Sequence, residues 1–174
     1  MKNQYALLLT SFLLSFTTVD DSWKTVRVLE KLTISMPANV QDEKPAETLI
    51  SQFKRAVQTD STEISLALVN LVQLGLTEDM LNMVKETAMF KEAMQTGLLK
   101  DGATIVKESS GKHQDKYQYY QYELSKEEGG RKQTLVTRIV YYKTYAITLA
   151  YKTRPGKLNQ EDMDRFFNSL TIGA

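Results

Sequence analysis

TLVTRIVYYKTYAITLAYK, residues 134–152, and NQEDMDRFFNSL, residues 159–170, read together as two strands and a closing helix. In both apolar runs the odd positions are large (Leu135, Ile139, Tyr141; Tyr145, Ile147, Leu149, Tyr151), and smaller apolar residues (Val136, Val140; Ala146, Ala150) occupy even positions. Side chains alternate across a strand, so the two sets face opposite ways. Both faces are then apolar, which predicts a sheet covered on each side rather than one with a wet face. In the helix, Met163, Phe166, Phe167 and Leu170 recur at i, i+3, i+4 and i+7, giving one side that can lie on the sheet. Pairing large residue with large residue would set Leu135 opposite Tyr151, Ile139 opposite Ile147 and Tyr141 opposite Tyr145. Arg138 and Lys152 would then share the smaller face.

The rest of the chain is consistent with one such unit. At 174 residues, 42% hydrophobic and 25% charged, it suits one ordinary domain rather than two. Lys2 and the apolar run Ala6 to Phe16 have the make-up of a signal peptide and are too short to span a bilayer. An N-terminal core element is the alternative, since no Ala-x-Ala cleavage site follows. The expected organisation is a signal peptide over 1–21 and a single domain over 22–174. Without cysteine the core must hold without disulfides, and a lipid-modified N-terminus is excluded. An exported protein, periplasmic or extracellular and with no membrane span after signal removal, follows as the expectation. Loss of residues 1–17 would leave 21 basic against 21 acidic residues, so bulk attraction to nucleic acid or an anionic membrane is not expected.

Working backwards from the hairpin, ATIVKES and KYQYYQYEL read as a strand pair turning at Ser110-Gly111, separated from the last pair by 127–130. Thr77 caps a helix predicted to run to about Thr96, with Glu78 and Asp79 in its first turn. Four of the seven methionines, Met80, Met83, Met89 and Met94, lie there, and their spacing favours core packing over an adaptable partner surface. RAVQTD and EISLALVNLVQLG form a hairpin with a bulge or strand end near Asn70. Pro45 and Glu47 start a predicted short helix over 45–53, and Trp23 to Pro37 reads as an opening strand or hairpin. Sequential strand pairs favour an antiparallel sheet.

No catalytic residue, metal site or cofactor site is expected. Gly129-Gly130-Arg131-Lys132 lacks the spacing of a phosphate loop. His113, the one histidine, has no cysteine to join it and reads as a solvated turn residue. Two biases remain. Eight of nine tyrosines fall between Tyr117 and Tyr151, and Arg131 to Lys157 carries seven bases and no acid. A tyrosine-rich sheet interleaved with cations suits an anionic small molecule or a glycan. The blander reading is that tyrosine favours strands and that acids elsewhere neutralise the cations. Arg138, Tyr142, Lys143, Lys152 and Arg154 are the candidate partner-binding residues.

EKLTISMPANV (30–40), a strand hairpin, a long helix, tyrosine-rich strands and DRFFNSLTI (164–172) in that order resemble the bacterial exported relatives of PsbP. That superfamily includes the photosystem extrinsic protein and a Ran-binding nuclear-import factor. The resemblance spans Trp23 to Ile172 as a pattern of elements. It implies an α+β fold, a three-layer α/β/α sandwich around a mainly antiparallel sheet, and non-enzymatic roles as an assembly factor, chaperone or binding partner. No catalytic residue carries over, and fold alone does not establish function. The leading expectation is therefore an exported, non-enzymatic interaction protein with an unknown protein partner; a binding module for an anionic or glycan ligand is the alternative.

Overall fold

The computed structural model describes residues 23–45, 49–59, 62–99 and 102–173. The expected signal segment lies outside them. The final hairpin forms as read, with β8 (Arg131–Tyr142) antiparallel to β9 (Tyr145–Thr153). Its register, which the sequence left open, is one residue away from the large-with-large pairing. Lys143 and Thr144 alone make the turn, with Lys143 at φ +51°, so Tyr142 pairs with Tyr145. Residues of opposite parity then face each other: Val136 and Tyr151, Arg138 and Leu149, Val140 and Ile147, Tyr141 and Ala146. Odd-to-odd pairing would have needed a three-residue loop. A one-residue slip exchanges faces, so Arg138 joins Ile147 and Leu149, while Lys152, opposite Leu135, lies on the other side.

Around this hairpin stands a seven-stranded sheet whose neighbouring strands are all antiparallel, in the order β3-β4-β5-β9-β8-β7-β6. Its other members are β3 (Gln41–Glu43), β4 (Ile50–Thr59), β5 (Thr62–Asn70), β6 (Thr104–His113) and β7 (Tyr117–Glu128). A smaller sheet joins β1 (Trp23–Leu29), β2 (Leu32–Pro37) and β10 (Thr171–Ile172). The opening hairpin is thus present. The helix expected over 45–53 is not: residues 46–48 lie outside the described part, and Ile50 onward is strand. Leu49, Ile50 and Phe53 fit one helical side, but residues 50–59 find partners in both β3 and β5, and pairing overrides local propensity.

Both faces of the large sheet are covered, as its double alternation requires. On one, Ile64, Leu66, Leu68, Val140, Ile147 and Leu149 meet the small sheet and α3 (Gln160–Asn168). The helix delivers Met163, Phe166 and Phe167, with Leu170 just beyond it, and both phenylalanines are fully buried. On the other, Tyr120, Tyr122, Leu124, Ile139 and Tyr141 lie under Leu71 of a 3₁₀ turn (Leu71–Leu74), Leu81 of α1 (Glu78–Val84) and the partly buried Phe90, Met94 and Leu98 of α2 (Ala88–Leu99). This is an α+β fold.

Thr77 caps α1 as expected, its side chain accepting from the Met80 amide. The single long helix is instead two. Thr87 donates its hydroxyl to the Val84 carbonyl at 2.7 Å and accepts from the Phe90 amide at 3.3 Å, ending one helix and starting the next. The turn placed at Ser110-Gly111 falls at Gln114 to Lys116, and Gly111 sits inside β6 opposite Tyr119. Tyr119 lies across that glycine: a Cβ there would stand 2.9 Å from its hydroxyl. Strand 5 ends at Asn70, whose side chain accepts from the Val72 amide and starts the 3₁₀ turn.

Candidate functional site

The five candidate residues separate into three places. Arg138 is held inside the fold, on the α3 side of the sheet. Its guanidinium lies 4.9 Å from the ring centres of both Tyr119 and Phe167, donates from Nε to Gln121 at 2.8 Å and from a terminal nitrogen to Asn168 at 3.0 Å. Burial lowers its pKa, with Tyr119 and Asp164 opposing, yet a guanidinium stays charged at neutral pH. Arg138 therefore fastens α3 to the sheet and is not a free surface cation.

Lys152 and Arg154 lie at one end of the sheet, on a cleft of about 270 Å³ shared with Arg55, Arg131 and Lys132. Acids already engage Arg55 of this group. Arg55 contacts Glu43 at 3.3 Å and Glu63 at 3.2 Å, and Lys152 and Arg154 have partners of their own.

Tyr142 and Lys143 stand at the opposite end, on a cleft of about 370 Å³. Here Lys116 closes the β6–β7 turn and Tyr117 follows it, and α1 with its cap contributes Glu78, Asn82 and Lys85. Tyr117 and Tyr142 meet edge to face, 5.5 Å apart at 83°, with Lys116 5.2 Å from the first ring and Lys143 5.4 Å from the second. Lys85, Lys116 and Lys143 form no ion pair among the described residues. Sequence reading found Tyr142 and Lys143 but missed Lys85 and Lys116, which come from distant segments.

A second surface is the helical layer. Leu81 is the only residue of α1 that is buried, and α2 buries none. Met83 and Met89 are each 73% exposed, Met80 44%, and Val72 and Leu74 of the 3₁₀ turn 54% and 55%. The core role expected of the methionines thus holds only for Met94, which packs on the tyrosine-lined face. The spacing fitted a stripe on one continuous helix, and the break at Thr87 re-aims its halves. Beneath the layer the hydroxyls of Tyr122 and Tyr141 are buried without a partner. Burial pushes the Tyr122 phenol up to about 12 and raises Tyr141 as well.

His113 is buried at the end of β6, not solvated, and its Nε2 lies 2.8 Å from the Leu170 carbonyl. The neutral tautomer that donates there accounts for the bond. Burial lowers its pKa foremost and Arg138 adds to this, while the Leu170 bond opposes both. Among the described residues no cluster of histidine, aspartate and glutamate is arranged to hold a metal, and no helix is long and apolar enough to cross a membrane.

No protein-family model and no curated protein matches the sequence. Among solved structures, the chain is similar to cyanobacterial PsbP (CyanoP) from Synechocystis sp. PCC 6803, with a TM-score of 0.59 and 14% identity, over 87% of this chain and 93% of that one. It is also similar to LpqN of Mycobacterium tuberculosis, a protein involved in cell envelope biogenesis, with a TM-score of 0.50 and 10% identity, over 88% of this chain and 91% of that one. At these identities the likeness is one of fold. It supports the PsbP-like architecture that EKLTISMPANV and DRFFNSLTI suggested.

Proposed function

We propose that this is an exported, non-enzymatic interaction protein that engages a protein partner through the outer surface of α1 and α2. The observation that carries the reading is the outward exposure of Met80, Met83 and Met89 beside Val72 and Leu74, on a layer whose two helices bury one residue between them. Exposed apolar side chains gathered on one layer are characteristic of contact surfaces, and unbranched thioethers adapt to a partner's shape. The partner that fits is a protein segment presenting an apolar face with basic residues at its edge, since the exposed methionines lie among charges in which acids (Glu78, Asp79, Glu86, Glu92) outnumber bases (Lys85, Lys91). Export rests on the apolar Ala6 to Phe16 segment, and residues 22–174 are taken as the mature domain.

Capture from the native envelope or medium tests this with two baits. The mature chain should retain a protein that a Met80→Gln/Met83→Gln/Met89→Gln variant loses at least tenfold, with the variant's melting temperature unchanged. Equal recovery on both baits would remove the helical layer from the account. Mass analysis of the native protein should place its N-terminus between Thr18 and Ser22; an intact Met1 would contradict export with cleavage.

A further inference from the structure

We propose that the cleft at the Lys143 end of the large sheet, one wall of which is α1 and its cap with Glu78, Asn82 and Lys85, binds a phosphorylated sugar. Its walls come from three parts of the fold, each fixed by hydrogen bonds. Tyr120 donates to the Lys85 carbonyl at 2.7 Å and anchors the end of α1. The Leu71 amide bonds the Thr144 carbonyl at 2.8 Å, tying the β8–β9 turn to the helical layer. The Ile172 amide bonds Gln114 at 3.1 Å, tying the β6–β7 turn to the small sheet. A cleft held this way is formed before any ligand arrives, which lowers the ordering cost of binding. Its volume of about 370 Å³ lies within the usual range of small-molecule sites.

Backbone conformation singles out the same end of the sheet. Among the described residues, Gln114, Asp115 and Lys143 are the non-glycine residues with positive φ, at +50°, +55° and +51°. All three lie in the two turns that bring Lys116 and Lys143 to the cleft. The turn at the other end, between β7 and β8, uses Gly129 and Gly130 for the same conformation. Tight hairpin turns demand this conformation, and it fixes the positions from which the two turns present Lys116 and Lys143.

The lining selects the ligand's chemistry. Lys31, Lys85, Lys116 and Lys143 line the cleft against one lining acid, Glu78, with Glu86 acting on Lys85 from outside it; this excess of ammonium groups suits a compact, multiply charged anion, and lysine binds phosphate as a point charge. Glu78 accepts from hydroxyl groups, and Asn82, whose carbonyl oxygen already accepts from Lys85 at 2.7 Å, keeps its amide hydrogens to donate. Tyr117 and Tyr142 stand edge to face at 83°, so they offer no parallel slot for a flat nucleobase, while a puckered ring bearing hydroxyls needs only one ring face and donors at its rim. A free sugar phosphate and the phosphorylated end of a glycan share this chemistry.

Glucose 6-phosphate, inorganic phosphate, glucose and a phosphorylated polysaccharide, titrated into the mature protein at low salt and followed by calorimetry and amide shifts, test the proposal. Glucose 6-phosphate should bind saturably, shift the amides of Tyr117, Tyr142 and Lys143, bind at least tenfold tighter than phosphate or glucose alone, and weaken as salt rises. Tighter binding of the polysaccharide than of the monosaccharide would identify a glycan end as the source; the reverse order would identify the free sugar phosphate. Lys116→Gln/Lys143→Gln should lose at least tenfold in affinity with the melting temperature unchanged. Lys85→Gln, away from the two turns, should do the same, and Arg131→Gln at the far end should change nothing. No saturable binding, affinity equal to that for inorganic phosphate, or full affinity in both lysine variants would overturn the proposal.

Discussion

The two coverings of the large sheet are built to different standards. On the α3 side every apolar residue that the helix and its exit deliver is buried, and polar groups close the seam: Arg138 between two rings, Ser169 accepting from the Ser35 amide at 3.0 Å, His113 on the Leu170 carbonyl. On the α1–α2 side, Leu81 alone is buried from two helices, two tyrosine hydroxyls go without partners, and three methionines face outward. The first covering makes the core. The second excludes water from the tyrosines and leaves its outer surface for contact, and regions with few buried contacts are the ones that open and adapt.

Mutations should separate the two sides by size of effect. Phe166→Ala and Phe167→Ala should each destabilise by ~3–5 kcal/mol, because each deletes a fully buried ring and leaves a cavity; denaturant midpoints read this directly. Near-wild-type midpoints for both would erase the contrast. Arg138→Ala should come next at about 1.5–3 kcal/mol, through lost charged hydrogen bonds and packing against Tyr119 and Phe167. Arg138→Lys should recover only part of this, since an ammonium has no planar face to lie between the rings.

A pH dependence belongs to the α3 side too. Burial holds the His113 pKa below its ordinary 6.5, so the unfolded chain takes up the proton first as pH falls. Stability should therefore decrease as pH drops from about 6.5 towards the lowered folded value. His113→Gln should flatten that slope in urea titrations at stepped pH; an unchanged slope would mean that His113 does not report the seam. The smallest effects belong to the helical layer. Met83→Gln and Met89→Gln should change stability by no more than ~0.5 kcal/mol, as exposed substitutions do. Tyr122→Phe should be neutral or stabilising, because it deletes a buried hydroxyl that has no partner.

How much of this was legible in sequence follows the same division. The Met163, Phe166, Phe167, Leu170 stripe and the double alternation of the last two strands were enough to predict a sheet covered on both faces, because periodicity is imposed by burial. Register was not legible: nothing in YYKTY announces that Lys143 takes a left-handed conformation, and that residue decides which face Arg138 occupies. The methionine helix misled because spacing assumes continuity, and Thr87, a weak helix former suited to capping, breaks it with two hydrogen bonds. The lysine–tyrosine cleft was half visible. Tyr142 and Lys143 stood out in the acid-free stretch, whereas Lys85 and Lys116 reach it only through the fold.

Native-state hydrogen exchange tests the central asymmetry most directly. In the free protein, amides of α1 and α2 should exchange through local openings well below the free energy of global unfolding, and amides of β8, β9 and α3 should exchange only near the global limit. Equal protection of α1–α2 and α3 would contradict the account, for it would mean that both coverings are equally part of the core.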